Sequence, residues 1–291
     1  MAGGILLALG ASVCWALANV TIKRAGQAVG AIRALLWAQL VGGLGFGLLG
    51  LGLDHPTAPI TSSAVAWGIA AGVAALLAYT CLFHAFERAR LSVTVPIMSS
   101  WAVLSAGISL VVLGERVRAG QLAGAALIVV GVITVARQSQ SKWDGAAGAD
   151  PRRERAALWA AAGAAIGFGV MVPAIDQLAP AFGQLGVIAL VYAADLVLGL
   201  PIAAVLRVDL RPPGRSAWPV VALAGFFETL GFACISLAGT HAPVAVVAPL
   251  ASLAGSMTVI YAWVVLGERL SRPAAVGAIA VCTGVVVLSL G

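Results

Sequence analysis

The chain has 291 residues, 61% of them hydrophobic and only 10% charged, with a formal net charge of +6 and a mean hydropathy of +1.04. A soluble domain carries about 25% charged residues, so this composition excludes an ordinary soluble globule and points to lipid as the solvent. The basic balance does not indicate nucleic acid: the Lys and Arg lie between long apolar runs, where they set membrane orientation, and no nucleic-acid motif occurs. Cys14, Cys81, Cys234 and Cys282 sit singly inside apolar segments. That spacing fits neither a disulfide framework nor a zinc site, and reads as small buried thiols.

Ten apolar segments follow one another, near 4–22, 34–53, 64–86, 91–113, 119–136, 156–174, 184–206, 217–238, 242–266 and 273–290. A helix needs roughly 20 apolar residues to cross the hydrocarbon, so an all-α protein of ten membrane spans is predicted. The opening Met1-Ala2-Gly3-Gly4 lacks the positive region of a cleavable signal peptide, and the first run reads as a retained span. In span 1, Ser12, Trp15 and Asn19 recur at helical spacing and share a face. Span 3 carries Tyr79 and, near its end, His84 and Glu87, which read as an interfacial pair or part of a gate. In span 4, Pro96 precedes Ser99, Ser100 and Trp101, and in span 9 Pro249 precedes Ser252 and Ser256. Each proline removes one backbone hydrogen bond. The serines are then either exposed to a midplane cavity by an opened turn or bonded back to their own helix. The polar stretch 138–155 reads as a linker between a first half, 1–137, and a second, 156–291.

The halves are copies. Val95-Pro96-Ile97-Met98-Ser99 returns as Ala248-Pro249-Leu250-Ala251-Ser252, and Leu113-Gly114-Glu115-Arg116 returns as Leu266-Gly267-Glu268-Arg269. Gly124 and Gly131 likewise return as Gly277 and Gly284, each pair separated by 153 positions. The same offset matches Trp15 with Phe168, Tyr79 with Phe232 and Cys81 with Cys234. Five spans per half is an odd number, so the second half enters the bilayer from the opposite side. This is an inverted-topology repeat, with a pseudo-two-fold axis in the membrane plane. The glycine pairs, seven residues apart, place small faces on spans 5 and 10 for close helix packing. The Gly-Glu-Arg turns read as interfacial anchors.

This pattern resembles the drug/metabolite transporter superfamily, in its ten-helix EamA-domain branch. The resemblance rests on the two copies of Pro…Leu-Gly-Glu…Gly…Gly and on Trp15 in a small-residue first span. It implies two inverted five-helix halves around a central cavity lined by spans 1, 3, 4, 6, 8 and 9, and export or uptake of small organic solutes. The four-helix exporters of that superfamily carry a proton-exchanging Glu in span 1. Here Trp15 occupies that place, so a proton-coupled mechanism needs another acid.

Two acids lie near the centres of apolar runs: Asp195 in span 7 and Glu228 in span 8. A carboxylate at the bilayer centre costs roughly 2.5–3.5 kcal/mol on insertion scales and faces a partner or a cavity. Both are candidates for proton coupling, with Glu228 also for substrate binding; the alternative is a protonated acid in one structural hydrogen bond. Their repeat equivalents are Gly42 and Ala75, so neither belongs to the duplicated frame. Trp15, Asn19, Tyr79, Ser99, Trp101, Phe168, Phe232, Ser252 and Ser256 complete the candidate substrate-binding set, in which aromatics suit a cation or a ring. The expected role is a secondary transporter, acting as an exporter of an amine-bearing or aromatic metabolite or of an organic cation. Uptake of a cationic metabolite, a lipid-headgroup flippase and a membrane scaffold are the alternatives. No metalloprotease, nucleophile-elbow or nucleotide-binding motif occurs, so neither an enzyme nor a cofactor nor a metal is expected. The expected partners are a small-molecule substrate, the bilayer and a coupling proton, and the expected state is a monomer.

All Lys and Arg lie on one side of the ten spans except Arg116 and Arg118. The positive-inside rule then puts the linker in the cytoplasm of a bacterial inner membrane and both termini outside. Ten-helix members of the resembling family are commonly drawn the other way. In a cysteine-free background, Ala2→Cys is expected to react with a membrane-impermeant maleimide from the outer face. Reaction only after permeabilisation would reverse the orientation.

Overall fold

The structure, a computed structural model, describes residues 2–112, 119–141, 151–241, 250–251, 253–267 and 272–290. The Glu115-Arg116 and Glu268-Arg269 turns, Pro249, Ser252 and most of the linker therefore lie outside the described residues, as does the side chain of Ser256. Eleven helices are described: α1 Ala2–Val29, α2 Ala31–Leu53, α3 Ser62–Arg88, α4 Leu91–Met98, α5 Trp101–Val111, α6 Ala119–Ser141, α7 Pro151–Phe182, α8 Gln184–Val205, α9 Trp218–His241, α10 Ala254–Leu266 and α11 Arg272–Leu290. Six of them are long and apolar enough to cross a membrane. Helices α4 and α5 are the two pieces of span 4, and α10 is the latter part of span 9, which makes ten spans.

Helix runs beyond several expected boundaries. α6 continues to Ser141 and α7 begins at Pro151, inside both ends of the stretch taken as linker. Residues such as Arg152, Arg153 and Arg155 are good helix formers, and a helix can leave the hydrocarbon where its side chains meet water. At 32 residues, α7 is about 48 Å long, more than the roughly 30 Å hydrocarbon core requires. Spans 1 and 2 are separated by Gly30 alone, and spans 6 and 7 by Gly183 alone. Their φ angles of 86° and 80° lie in the region that only glycine adopts without strain. These two positions are repeat equivalents.

The same reciprocity runs through the packing. A Cβ on Gly10 would lie 3.8 Å from Sγ of Cys234, and one on the equivalent Gly163 would lie 2.8 Å from Sγ of Cys81. Gly72 meets Ala194 as Gly225 meets Val41, and Trp15 meets Phe232 edge-on as Phe168 meets Tyr79. Each interface between halves thus has an image 153 residues away, as a two-fold operation demands. The break in span 4 is repeated too: Ser100 N–H bonds the Ile97 carbonyl at 3.1 Å, and Leu253 N–H bonds the Leu250 carbonyl at 3.3 Å.

Two helix pairs are their own images, and these locate the axis. Gly131 of α6 packs against Gly277 and Val281 of α11, while Gly284 packs against Gly124 and Ile128. The helices are therefore antiparallel and cross between the buried equivalents Ile128 and Val281. At the other end of the axis, Gln39 meets Asp195, Gly42 meets Tyr192 and Gly50 meets Gly186. Thus α2 and α8 are also antiparallel and cross beside the equivalents Val41 and Ala194. An antiparallel pair related by a two-fold axis is what inverted halves require. Small residues permit this approach, since lipid supplies no hydrophobic drive between helices and packing must do so.

Polar contacts then pin both ends of α2 to the second half. Near its start, the Arg33 guanidinium donates to the Arg211 carbonyl at 3.0 and 2.8 Å and to the Pro212 carbonyl at 3.1 Å, beside Asp209 at 3.3 Å. At its end, the Asp54 carboxylate accepts from the Leu185 N–H at 3.2 Å and the Gly186 N–H at 2.5 Å. An anion there offsets the positive end of α8.

A Cβ at Gly131 would lie 2.6 Å from the Gly277 carbonyl oxygen, whereas one at Gly107 meets no atom within 4 Å. Gly131→Ala should therefore cost about 1–3 kcal/mol, the usual range for overpacking. In detergent its thermal midpoint should fall, while that of Gly107→Ala stays level or rises. Equal midpoints would contradict the close approach at the axis.

Candidate functional site

The polar interior gathers around the α2–α8 crossing. Asp195 is 0% exposed and Gln39 3%, and Nε2 of Gln39 donates to Oδ2 of Asp195 at 2.8 Å. Among the described residues, Oδ1 of Asp195 is buried without a partner. Beside this pair stand Tyr192 and Tyr79, each 1% exposed, with their hydroxyls 3.4 Å apart. The Tyr79 hydroxyl donates to Oε1 of Glu228 at 3.3 Å. That is long for an O–H···O bond, whose usual length is about 2.7–2.8 Å, so the half-buried Glu228 carboxylate keeps capacity for another donor. Gln39, Tyr79, Tyr192 and Glu228 line a cavity of about 10 Å³ with Ile22, Ala38, Phe83, Ala224 and Gly225. Such a space holds about one water molecule. Among the described residues, no Lys, Arg or His lines it.

An aromatic chain encloses this cluster. Ring contacts run from Trp15 to Phe232 (5.1 Å between centroids), Phe46 (6.1 Å), Tyr192 (5.5 Å), Tyr79 (5.7 Å) and Phe168 (5.2 Å), all edge-to-face. Such pairs contribute about 0.5–1.5 kcal/mol each beyond their area. The chain is nearly palindromic, because its ends Trp15 and Phe168 are repeat equivalents, as are Phe232 and Tyr79. Local geometry explains the middle. A Cβ on Gly42 would lie 2.6 Å from the Tyr192 ring, so only a glycine there lets the ring approach α2 this closely. Gly231 does the same for Trp15, whose Nε1 would lie 2.6 Å from an added Cβ and is buried without a partner among the described residues.

The expected site residues divide accordingly. Tyr79, Phe168, Asp195, Glu228, Phe232 and Trp15 come together. Asn19 turns aside and donates to the Thr258 hydroxyl at 2.9 Å, while Ser12 bonds the carbonyls of Ala8, Leu250 and Ala251. Ser99 and Ser100, after the kink at Pro96, bond back to the Val95 and Ile97 carbonyls at 2.9 and 2.8 Å. Trp101 packs away from the cluster, against Ile128 and Val281. His84 contacts the Thr80 carbonyl at 3.0 Å and Glu87 lies 4.0 Å from Arg88. Gln39, Phe46 and Tyr192 were not anticipated. A signal for two of them exists in the chain, since Gln39 and Tyr192 are repeat equivalents, both polar in otherwise apolar spans.

With this geometry in hand, comparison with known proteins assigns the family. Residues 2–137 and 155–290 each match the EamA-like transporter family. The chain belongs to that family. It is thus a multi-pass membrane transporter of small molecules, within the drug/metabolite transporter superfamily. A solved crystal structure described only as that of a protein aligns with a TM-score of 0.68 at 18% identity, covering 99% of this chain and 96% of the other. That likeness concerns the fold alone. No curated protein matches the chain.

Tyr79→Phe removes one hydroxyl and keeps the ring contacts, so it should cost about 0.5–1.5 kcal/mol. Tyr79→Ala also opens a cavity and should cost about 3–5 kcal/mol. Thermal unfolding in detergent measures both, and equal losses would show that the ring does not anchor the aromatic chain.

Proposed function

We propose that this EamA-family member is a secondary exporter of a small amine-bearing or aromatic solute, such as an amino acid or an organic cation, working by alternating access in the bacterial inner membrane. The observation that carries the reading is the pairing of the Glu228 carboxylate with Tyr79 and Tyr192, two members of the aromatic chain, in a cavity wall that among the described residues holds no basic side chain. A carboxylate attracts an ammonium, and aromatic faces stabilise cations by a further 0.5–2 kcal/mol or so. A strongly anionic solute would meet an uncompensated negative charge there. The cavity, with room for one water, is far smaller than any metabolite, so solute entry requires the halves to part. Their reciprocal packing supplies two equivalent ways of doing so, which is the basis of alternating access.

In this account Glu228 takes the solute's positive group, while Tyr79, Phe232, Trp15 and Phe168 surround its apolar part. The termini face the outside. Purified protein in liposomes should exchange labelled amines or aromatic amino acids. Glu228→Gln should weaken their binding about tenfold or more, as the loss of a charged partner implies, and Trp15→Ala should abolish counterflow. Scrambling of labelled lipids without amine movement would replace this reading with a flippase.

A further inference from the structure

The second acid has no role in that scheme, and its position is unlike that of Glu228. Glu228 lines the small cavity, whereas Asp195 is fully buried and is not among its walls. Asp195 also adjoins the place where α2 and α8 cross on the pseudo-two-fold axis, next to Ala194 and opposite Gln39. An axis in the membrane plane is equally deep from both faces, so a group on it can be reached from either side by equivalent movements of the two halves. Few other positions have this property. The α6–α11 crossing at the far end of the axis carries Ile128 and Val281, which bind nothing polar.

The acid is not needed for packing. By the two-fold operation, the pair Gln39–Asp195 corresponds to Tyr192–Gly42, so the frame accepts a glycine at the equivalent position. Its hydrogen bonding is half complete: Oδ2 accepts from Gln39, and Oδ1 has no partner among the described residues. A buried ionised carboxylate is costly unless paired, and no cation stands next to it among the described residues. The titratable groups facing it are Tyr192 on its own helix and Tyr79 of α3, while α2 presents the non-titrating Gln39.

We infer that Asp195 is the proton-carrying residue of the transport cycle, distinct from the solute-binding Glu228, with Gln39 as its positioning residue. This rests on the exporter reading above for what the proton drives. With the halves open to one side, a hydronium gives its proton to Oδ1, forming the O–H bond and leaving water. With the halves open to the other side, that bond breaks and the proton passes to water there. Gln39 holds Oδ2, so the proton's place is the remaining oxygen. Two acids therefore divide the work, one meeting the solute and one meeting the proton, through a shared wall of Tyr79 and Tyr192.

The test uses the full-length protein and the near-isosteric Asp195→Asn. In proteoliposomes this variant should lose amine accumulation driven by an imposed proton gradient, while amine counterflow without a gradient stays within about twofold of wild type. Independently of any solute, infrared difference spectra of a pH titration should show a protonated-carboxyl band that Asp195→Asn removes and Gln39→Leu shifts in frequency. Gradient-driven accumulation by Asp195→Asn, or a band that survives in it, would overturn the proposal. If the wild type moves no amine, the exporter reading fails and the infrared band alone decides whether Asp195 takes the proton.

Discussion

Close approach of helices across the pseudo-two-fold axis is the constraint on which the rest of this molecule depends. In lipid, apolar side chains gain nothing by leaving one hydrocarbon for another, so helices associate through packing and hydrogen bonds. Glycine meets that need at Gly131 and Gly284 at one end of the axis and at Gly42, Gly72 and Gly225 at the other. Because each contact is repeated 153 residues away, one packing solution serves twice. The two halves consequently face each other through surfaces that also work when exchanged. A transporter with alternating access needs such an interface.

The symmetry is broken where polar groups enter. Asp195 stands where the first half has Gly42, and Glu228 stands where it has Ala75. The consequences are coupled. Gly42 leaves room for the Tyr192 ring, which brings its hydroxyl to Tyr79, which in turn reaches Glu228. Meanwhile Gln39, one turn before Gly42, holds Asp195. A buried network of this kind gives its members a single arrangement, because each unsatisfied group in a low-dielectric interior is costly. The clamps at Arg33 and Asp54 secure α2 outside that network, so the helix that carries Gln39 and Gly42 is fixed to the second half at both ends.

Much of this was legible in the chain itself. The constant offset revealed two halves, the odd span count implied their inversion, and the paired glycines marked spans 5 and 10 for close helix packing. The acids stood out because charge is rare in apolar runs. The sequence did not tell which helices meet across the halves, so the joining of Tyr79 to Glu228 and of Gln39 to Asp195 needed coordinates. Gln39 stands in the chain as one amide among apolar neighbours, with only its equivalence to Tyr192 to mark it. Trp101, which follows Pro96 in an apolar span, reads from the sequence as a cavity residue, whereas after the break at Ser99-Ser100 it packs on Ile128 of α6 and Val281 of α11. The serines there bond to their own backbone, as hydroxyls in helices commonly do.

In the proposed cycle the two inverted halves move about the axis through Val41, Ala194, Ile128 and Val281, while Glu228 and the aromatic chain meet the solute. Spin labels report this directly. One pair, at Arg24 and Arg211, spans the halves at the end of the molecule where Arg33 meets the α8–α9 connection. The other, at Thr57 and Gln177, spans them at the opposite end, where the Thr57 N–H bonds the Pro180 carbonyl at 2.8 Å. Double electron–electron resonance on each pair, with and without a transported amine, should show distance changes of opposite sign at the two ends. Changes of the same sign, or none at either end, would contradict it.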